Sequence, residues 1–174
     1  SDEKTRNETD IIRTRLTRTI EQDLVEDPYA QRHFSELLKA AIAEASALFD
    51  HPLNQYALFK DVEERVADMK VDGTPGALNG KRHAAAYFGI IRLAVGDGRT
   101  LGPDVDSFAA AALDIDGMVQ TAVAENSLNP ANVEAAIRKA VLPRLFALTG
   151  LDLARAITDQ VGEVTRVGLS REAA

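Results

Sequence analysis

The clearest helical pattern in the chain lies in Ala122–Val167, AVAENSLNPANVEAAIRKAVLPRLFALTGLDLARAITDQVGEVTRV. Its apolar residues recur at intervals of three and four, which is the period of one helical face. Asn129 and Pro130 form a helix start before the first apolar run, and Gly150 is placed as its left-handed C-terminal cap. The pattern predicts two consecutive helices, and we expect Pro143 inside the first of them to bend it.

The same periodicity extends through the rest of the chain and predicts five further helices. The first covers Glu8 to about Asp23 with Asn7 as its cap, and two others begin at prolines. A fourth contains a central glycine that permits close approach of a neighbour, and the fifth is capped by an aspartate. Alternating patterns are too rare for a sheet. We therefore predict an all-α fold, an irregular bundle of about seven helices. The residues that mark these features are Pro28, Pro52, Gly89, Asp104 and Asp106.

One segment is rich in helix breakers. Residues 71–80, VDGTPGALNG, contain three Gly and one Pro, which predicts a loop. We interpret residues 1–174 as a single helical domain, with 71–80 as the candidate break between two helical subdomains. The chain begins with Ser rather than Met, so we expect it to be a domain taken from a longer protein.

Composition limits the classes of protein that this chain can represent. It has 174 residues, of which 45% are hydrophobic and 27% are charged, as in ordinary globular domains. It has no Cys, so neither a disulfide framework nor a thiolate ligand can form. No apolar run reaches the roughly 20 residues of a membrane helix, and no signal peptide is recognisable. We expect a cytoplasmic protein without a membrane partner.

Several fragments imitate catalytic motifs, but each lacks a required group. Residues 76–82, GALNGKR, have three residues between their glycines instead of the four of a phosphate-binding loop, and Arg82 replaces its Ser or Thr. In the calcium-loop frame from Asp97 to Phe108, the bidentate Glu is missing. The three histidines show no zinc-helix spacing. We therefore predict no catalytic, cofactor-binding or metal-binding residue in this chain.

Three segments carry a resemblance to a known family. They are Tyr56–Glu63 (YALFKDVE), His83–Gly89 (HAAAYFG) and the Ala122–Val167 stretch, in which the order of Asn129-Pro130, Ile137-Arg138-Lys139 and Gly150-Leu151-Asp152 is the distinctive part. Together they resemble the C-terminal region of the restriction (R) subunit of type I restriction-modification enzymes. Val62 stands where family members often have Phe.

The resemblance implies a role in defence against foreign DNA. The parent subunit belongs to an ATP-dependent, site-specific deoxyribonuclease, whose nuclease and translocase lie upstream and account for the ATP and Mg that the enzyme needs. The C-terminal helical region is associated with docking onto the core of methyltransferase and specificity subunits. No active site is then expected in this chain.

Our first hypothesis is accordingly a non-catalytic assembly module that docks the motor subunit onto that core. The candidate partner contacts are polar residues in the family-like segments. Each also has a purely structural interpretation: a helix cap for the asparagine, solvated charges for the pair in the later helix, and a local ion pair for the adjacent Lys and Asp. The five residues are Lys60, Asp61, Asn129, Arg138 and Lys139.

The alternative hypothesis is a module that contacts duplex DNA and guides it to the motor. The net charge of -7 argues against a broad DNA-binding surface, so such contacts would need a local basic patch. The arginines of the first helix also have a structural interpretation, as partners of Glu21, Asp23 and Glu26. The candidate DNA contacts are Arg13, Arg15, Arg18, Lys81, Arg82 and Arg92.

Overall fold

The structure, a computed structural model, describes all residues from Ser1 to Ala174 and is all-helical, without a strand. This confirms the predicted all-α fold. Seven of its eight α-helices correspond to the predicted ones, and the additional one is the single turn α5. The helices are α1 (Asp2–Arg18), α2 (Pro28–Ala47), α3 (Pro52–Ala67), α4 (Arg82–Val95), α5 (Asp97–Thr100), α6 (Val105–Glu125), α7 (Val133–Thr149) and α8 (Leu151–Ala173).

Two of the predicted helix starts and one predicted end are confirmed. Pro28 and Pro52 open α2 and α3, where a missing N–H has no intrahelical partner to lose. Gly150 follows α7 with a φ of 83°, although its ψ of 173° is extended rather than left-handed helical. A helix through Pro143 is also present, since α7 continues past it.

The predicted start of the first helix is wrong. The helix begins at Asp2, and the Ser1 hydroxyl accepts a hydrogen bond from the backbone N–H of Lys4 at 3.3 Å. Asp2 and Glu3 lie in the first turn, where negative charge is favourable to the helix dipole. Asn7 therefore lies inside the helix rather than at its cap. The apolar periodicity missed this turn because its residues are all polar.

At two other predicted helix starts, Asp104 and Asn129 precede the first turn as expected, but neither side chain forms a capping hydrogen bond. Asp104 occupies the position before α6, but its side chain makes no capping hydrogen bond, and Asp106 lies within the first turn. The backbone of Asp104, at φ −94° and ψ 12°, is outside the extended region from which a cap side chain reaches the next N–H groups. Asn129 makes no capping bond either, because Pro130 opens a short 3-10 turn before α7.

Contacts within the chain divide it into two compact units. Unit 1 comprises Ser1–Val25 and Ala30–Asp72, and unit 2 comprises Glu26–Tyr29 and Gly73–Ala174. The division after Asp72 falls inside the breaker-rich segment 71–80. That residues 1–174 form a single domain stays a prediction.

Unit 1 is built on the pairing of α1 with α3. The apolar side chains of α1 and α3 share a cluster with one face of α2. A π-helical turn, Thr19–Asp23, extends α1 and keeps Ile20 on the buried side. The core residues are Ile12, Leu16, Ile20, Leu24, Ala30, Phe34, Leu38, Ala41, Ala45, Phe59, Val62 and Val66.

Unit 2 is arranged around four long helices. α4 contacts α6 and α8, and α7 contacts the same two helices. Leu78, which sequence analysis placed in a loop, lies in a 3-10 turn and is buried in this core. None of the eight helices of the chain combines the length and apolarity needed to cross a membrane.

Gly89 fulfils the role predicted for it in α4. A Cβ at this position would lie 2.6 Å from the Cβ of Tyr29, closer than real carbon atoms approach one another. The glycine therefore allows the Glu26–Tyr29 segment to lie directly on α4 within unit 2.

Candidate functional site

A cleft of about 330 Å³ lies in unit 2 between α4, α6 and α8. We call it the α4–α6–α8 cleft. Its size is at the lower end of the range found for ligand-binding pockets, about 300–1,000 Å³. All of the residues that line it belong to unit 2.

Two helices form the walls of the cleft with matching faces. α6 contributes residues at intervals of three, one and three, and α8 does the same. This spacing places each set of side chains on one helical face over about two turns. The residues with this spacing are Asp116, Val119, Gln120 and Val123 on α6, and Thr165, Gly168, Leu169 and Glu172 on α8, and Ala124 and Val164 line the cleft beside them.

The beginning of α4 forms the third side of the cleft. His83, Ala86 and Tyr87 contribute there, at the same helical spacing. The Tyr87 ring is buried, and burial raises the pKa of its hydroxyl to about 12, although a hydrogen bond with Thr165 opposes that effect. The phenol is therefore a neutral, largely apolar surface at physiological pH.

The charge around the cleft is negative. Three carboxylates line it, those of Glu26, Asp116 and Glu172, and no Lys or Arg does. Glu26 accepts a hydrogen bond from Nη1 of Arg171 at 2.9 Å, so its charge is compensated. Asp116 accepts only from the amide of Gln120, at 3.0 Å, and Glu172 has no ion pair. Two uncompensated carboxylates therefore border an apolar interior.

None of the predicted partner-contact residues lines this cleft. Lys60 and Asp61 belong to α3 of unit 1, whereas Asn129, Arg138 and Lys139 belong to unit 2. Arg138 is exposed and lies 3.7 Å from a carboxylate oxygen of Asp159, which is a loose surface pair. Asn129 and Lys139 are exposed as well. The five residues are therefore divided between the two units.

The local ion pair expected between Lys60 and Asp61 is absent. Lys60 Nζ lies 3.0 Å from Glu63, and Asp61 lies 3.1 Å from Nε of Arg65. Adjacent residues point about 100° apart around a helix, whereas residues three or four apart share a face. The hydrogen bond to Glu63 raises the pKa of Lys60.

The carboxylate of Glu63 also connects α3 to α1. Arg15 donates to it from Nε at 3.0 Å. The structural interpretation of Arg15 expected it to pair with acidic residues at the end of its own helix, and it pairs with Glu63 instead. Partial burial alone would raise the pKa of Glu63, but hydrogen bonds from Arg15 and Lys60 outweigh that effect and lower it.

The remaining DNA-contact candidates divide into exposed and buried residues. Arg13 and Arg18 on α1, and Lys81 and Arg82 at the start of α4, are exposed and have no ion pair. Arg92 is different, because its side chain is only 4% exposed. Nε of Arg92 donates to Asp97 at 2.9 Å, and the guanidinium lies over the Tyr29 ring. This burial and pairing leave little of the guanidinium exposed to a phosphate. A DNA contact at Arg92 stays a prediction.

The fragments that imitate catalytic motifs have ordinary structural roles. Gly76–Leu78 forms a 3-10 turn, and Asp97 is the hydrogen-bond partner of Arg92. No three His, Asp or Glu side chains come close enough together to form a metal-binding group.

The cleft is not among the sites predicted from the sequence. One signal was available, because His83 and Tyr87 are four residues apart and so share a face of α4. The approach of Glu26 to α8 had no such signal, since Glu26 and Arg171 are 145 positions apart in the chain.

No known protein-family model, curated protein or solved structure matches this chain.

Proposed function

We propose that this chain is the C-terminal helical domain of the R subunit of a type I restriction-modification enzyme. In this proposal it docks the motor subunit onto the methyltransferase and specificity core and performs no chemistry itself. ATP and Mg act in the upstream domains of the parent subunit.

The proposal is supported by the sequence segments that supply the residues of the α4–α6–α8 cleft. The segment His83–Gly89 supplies His83, Ala86 and Tyr87, and the Ala122–Val167 stretch supplies Val123, Ala124, Val164 and Thr165. The segments that carry the family resemblance therefore contribute half of the residues around one concave surface. An apolar centre with a polar rim is the usual construction of a protein–protein contact surface.

Light-scattering chromatography tests the proposal. The domain is run alone and mixed with its own methyltransferase–specificity complex, at low and moderate salt. Docking predicts co-elution at both salt concentrations, because apolar contacts are not screened by ions. If the domain co-elutes with the complex at neither salt concentration, the assembly role is overturned.

A charge-reversed variant separates the cleft from the first set of candidate contacts. Arg138→Glu combined with Lys139→Glu alters two exposed positions outside the cleft. Unchanged co-elution of this variant would remove both residues from the docking surface. Loss of co-elution would place the surface on α7.

A second candidate function is contact with duplex DNA through α1. The observation that favours it is the exposure of Arg13 and Arg18, neither of which has an ion pair. Phosphate contacts would make binding strongly dependent on salt. At low salt, this function predicts that duplex DNA retains the domain. The Arg13→Glu/Arg18→Glu variant should lose this retention, and the Lys39→Glu variant should keep it. No retention of the unmodified domain at low salt would eliminate it.

A further inference from the structure

The walls of the α4–α6–α8 cleft have the geometry of a helix-binding groove. Asp116 to Val123 on α6 and Thr165 to Glu172 on α8 each cover eight residues, which corresponds to about 11 Å of helix. Side chains at positions i, i+3, i+4 and i+7 are those that a helix presents to a neighbouring helix. In both α6 and α8 this face borders the open cleft.

The cleft is large enough to receive one or two side chains of a partner. At about 330 Å³ it falls at the bottom of the range for small-molecule pockets. Its apolar lining includes Val119, Val123, Leu169 and the ring of Tyr87. One or two apolar anchors from a short helix would remove this surface from water, at a gain of about 25 cal/mol for each Å² buried.

The charge of the rim determines the kind of helix. Asp116 and Glu172 border the cleft without a cationic partner, and no Lys or Arg of this chain lines it. An acidic helix would be repelled, and a neutral one would desolvate these carboxylates without compensation. A helix with Lys or Arg beside its apolar face would pair with both.

We propose that the α4–α6–α8 cleft receives a short, basic, amphipathic helix of a protein partner. Its apolar side chains pack on Val119, Val123 and Leu169, and its cations pair with Asp116 and Glu172. The assignment of that helix to the modification core rests on the proposed docking function. The assignment of the cleft as a helix-binding groove does not.

A charge-reversal experiment with a matched control tests this assignment. The cleft variant carries Asp116→Lys and Glu172→Lys, and the control carries Glu125→Lys and Glu163→Lys on the same two helices. The control residues are exposed, have no ion pair and do not line the cleft. Both variants change the net charge equally, so a general electrostatic effect would alter them alike. Thermal unfolding identifies any variant that fails to fold.

The first arm measures affinity for the methyltransferase–specificity complex by calorimetric titration. We expect the cleft variant to bind at least about 10-fold more weakly, and the control to bind as the unmodified domain does. Equal binding by all three proteins would overturn the cleft assignment while leaving the docking function intact.

The second arm does not depend on the modification core. A synthetic helical peptide of Leu and Lys is titrated into the isotope-labelled 174-residue domain and compared with its Leu and Glu counterpart. We expect shifts of the Val119, Val123 and Leu169 methyl signals with the Lys peptide alone, and none of these shifts in the cleft variant. Shifts outside the cleft, or equal effects of both peptides, would overturn the proposal.

The two arms distinguish the two proposals. Peptide binding in the cleft without binding of the core would retain the helix-binding groove and reject the docking function. A dimer of the domain alone, disrupted only in the cleft variant, would assign this surface to a second copy of the chain and overturn the proposed partner.

Discussion

The guanidinium of Arg92 lies 4.1 Å above the centre of the Tyr29 ring. This cation–π contact connects α4 to the Glu26–Tyr29 segment within unit 2. Nε of the same guanidinium donates to Asp97, just beyond the end of α4. A buried charge is tolerated here because it has both an aromatic and an anionic partner.

Asp97→Asn should destabilise the protein, because the buried guanidinium of Arg92 would lose its anionic partner. Hydrogen bonds to charged groups contribute roughly 1.5–3 kcal/mol. The Asp97 side chain is 55% exposed, so solvent screening reduces the expected loss to about 1 kcal/mol. Urea unfolding at neutral pH measures it. Glu163→Gln is the control, because Glu163 is exposed in the middle of α8 and has no ion pair. An equal loss in both variants would contradict the prediction.

The same pair predicts a dependence of stability on pH. The Arg92 hydrogen bond lowers the pKa of Asp97 in the folded state. Its contribution is therefore present above the unfolded carboxyl pKa of about 3.9 and is lost as the pH falls through the lower folded value. The difference in unfolding free energy between the unmodified protein and Asp97→Asn should shrink on acidification. A difference that is constant with pH would exclude this linkage.

Gly89→Ala and Gly117→Ala should have opposite effects. Alanine is favoured over glycine in a helix by about 1 kcal/mol, and at Gly117 a Cβ would meet nothing within 4 Å. At Gly89 the new carbon would instead strike the Cβ of Tyr29, and overpacking costs typically 1–3 kcal/mol. Thermal unfolding should show stabilisation for Gly117→Ala and a net loss for Gly89→Ala. Stabilisation by both substitutions would mean that the segment around Tyr29 yields easily.

Tyr87 should make the protein less stable in strong alkali. Its pKa is raised to about 12 by burial, against about 10 in the unfolded chain. The folded state therefore keeps its full stability below pH ~10 and loses up to roughly 3 kcal/mol as the pH rises toward 12. Tyr87→Phe lacks this loss, so subtracting its stability profile from that of the unmodified protein isolates the effect. Parallel profiles would show that the ring is not buried.

Thr158→Val should stabilise unit 2. The hydroxyl of Thr158 is buried in α8 without a hydrogen-bond partner, and such a group costs about 1–3 kcal/mol. Valine has nearly the same shape and no polar atom to satisfy. Thr165→Val is the control, because the Thr165 hydroxyl donates to the carbonyl of Val161 at 2.8 Å. Chemical denaturation should separate the two variants by sign, and a destabilised Thr158→Val would contradict the prediction.

Local signals explain which parts of the fold could be predicted from the sequence. Pro28, Pro52 and Gly150 act within one helical turn, so their positions mark helix ends directly. The ion pair predicted between Lys60 and Asp61 is absent because neighbours in sequence point about 100° apart on a helix, and each residue pairs instead with a partner three or four positions away.

Long-range contacts explain what the sequence could not predict. An arginine is ordinarily expected at the surface, but Arg92 is buried against the ring of Tyr29, which lies 63 positions earlier in the chain. The α4–α6–α8 cleft likewise needs α4, α6 and α8 to be assembled before its carboxylates share a rim. No periodicity within one helix contains that information.

The segment Glu26–Tyr29 has a consequence for the order of folding during synthesis. Its four residues belong to unit 2 but leave the ribosome before any other part of that unit. These residues contact Gly89, Arg92 and Arg171. The contact between Glu26 and Arg171 can form only after the C-terminal turns of α8 have been synthesised. Unit 1 has all of its residues once Asp72 has emerged. The nascent chain should therefore complete unit 1 first and hold Glu26–Tyr29 in an unfinished state until translation is nearly over.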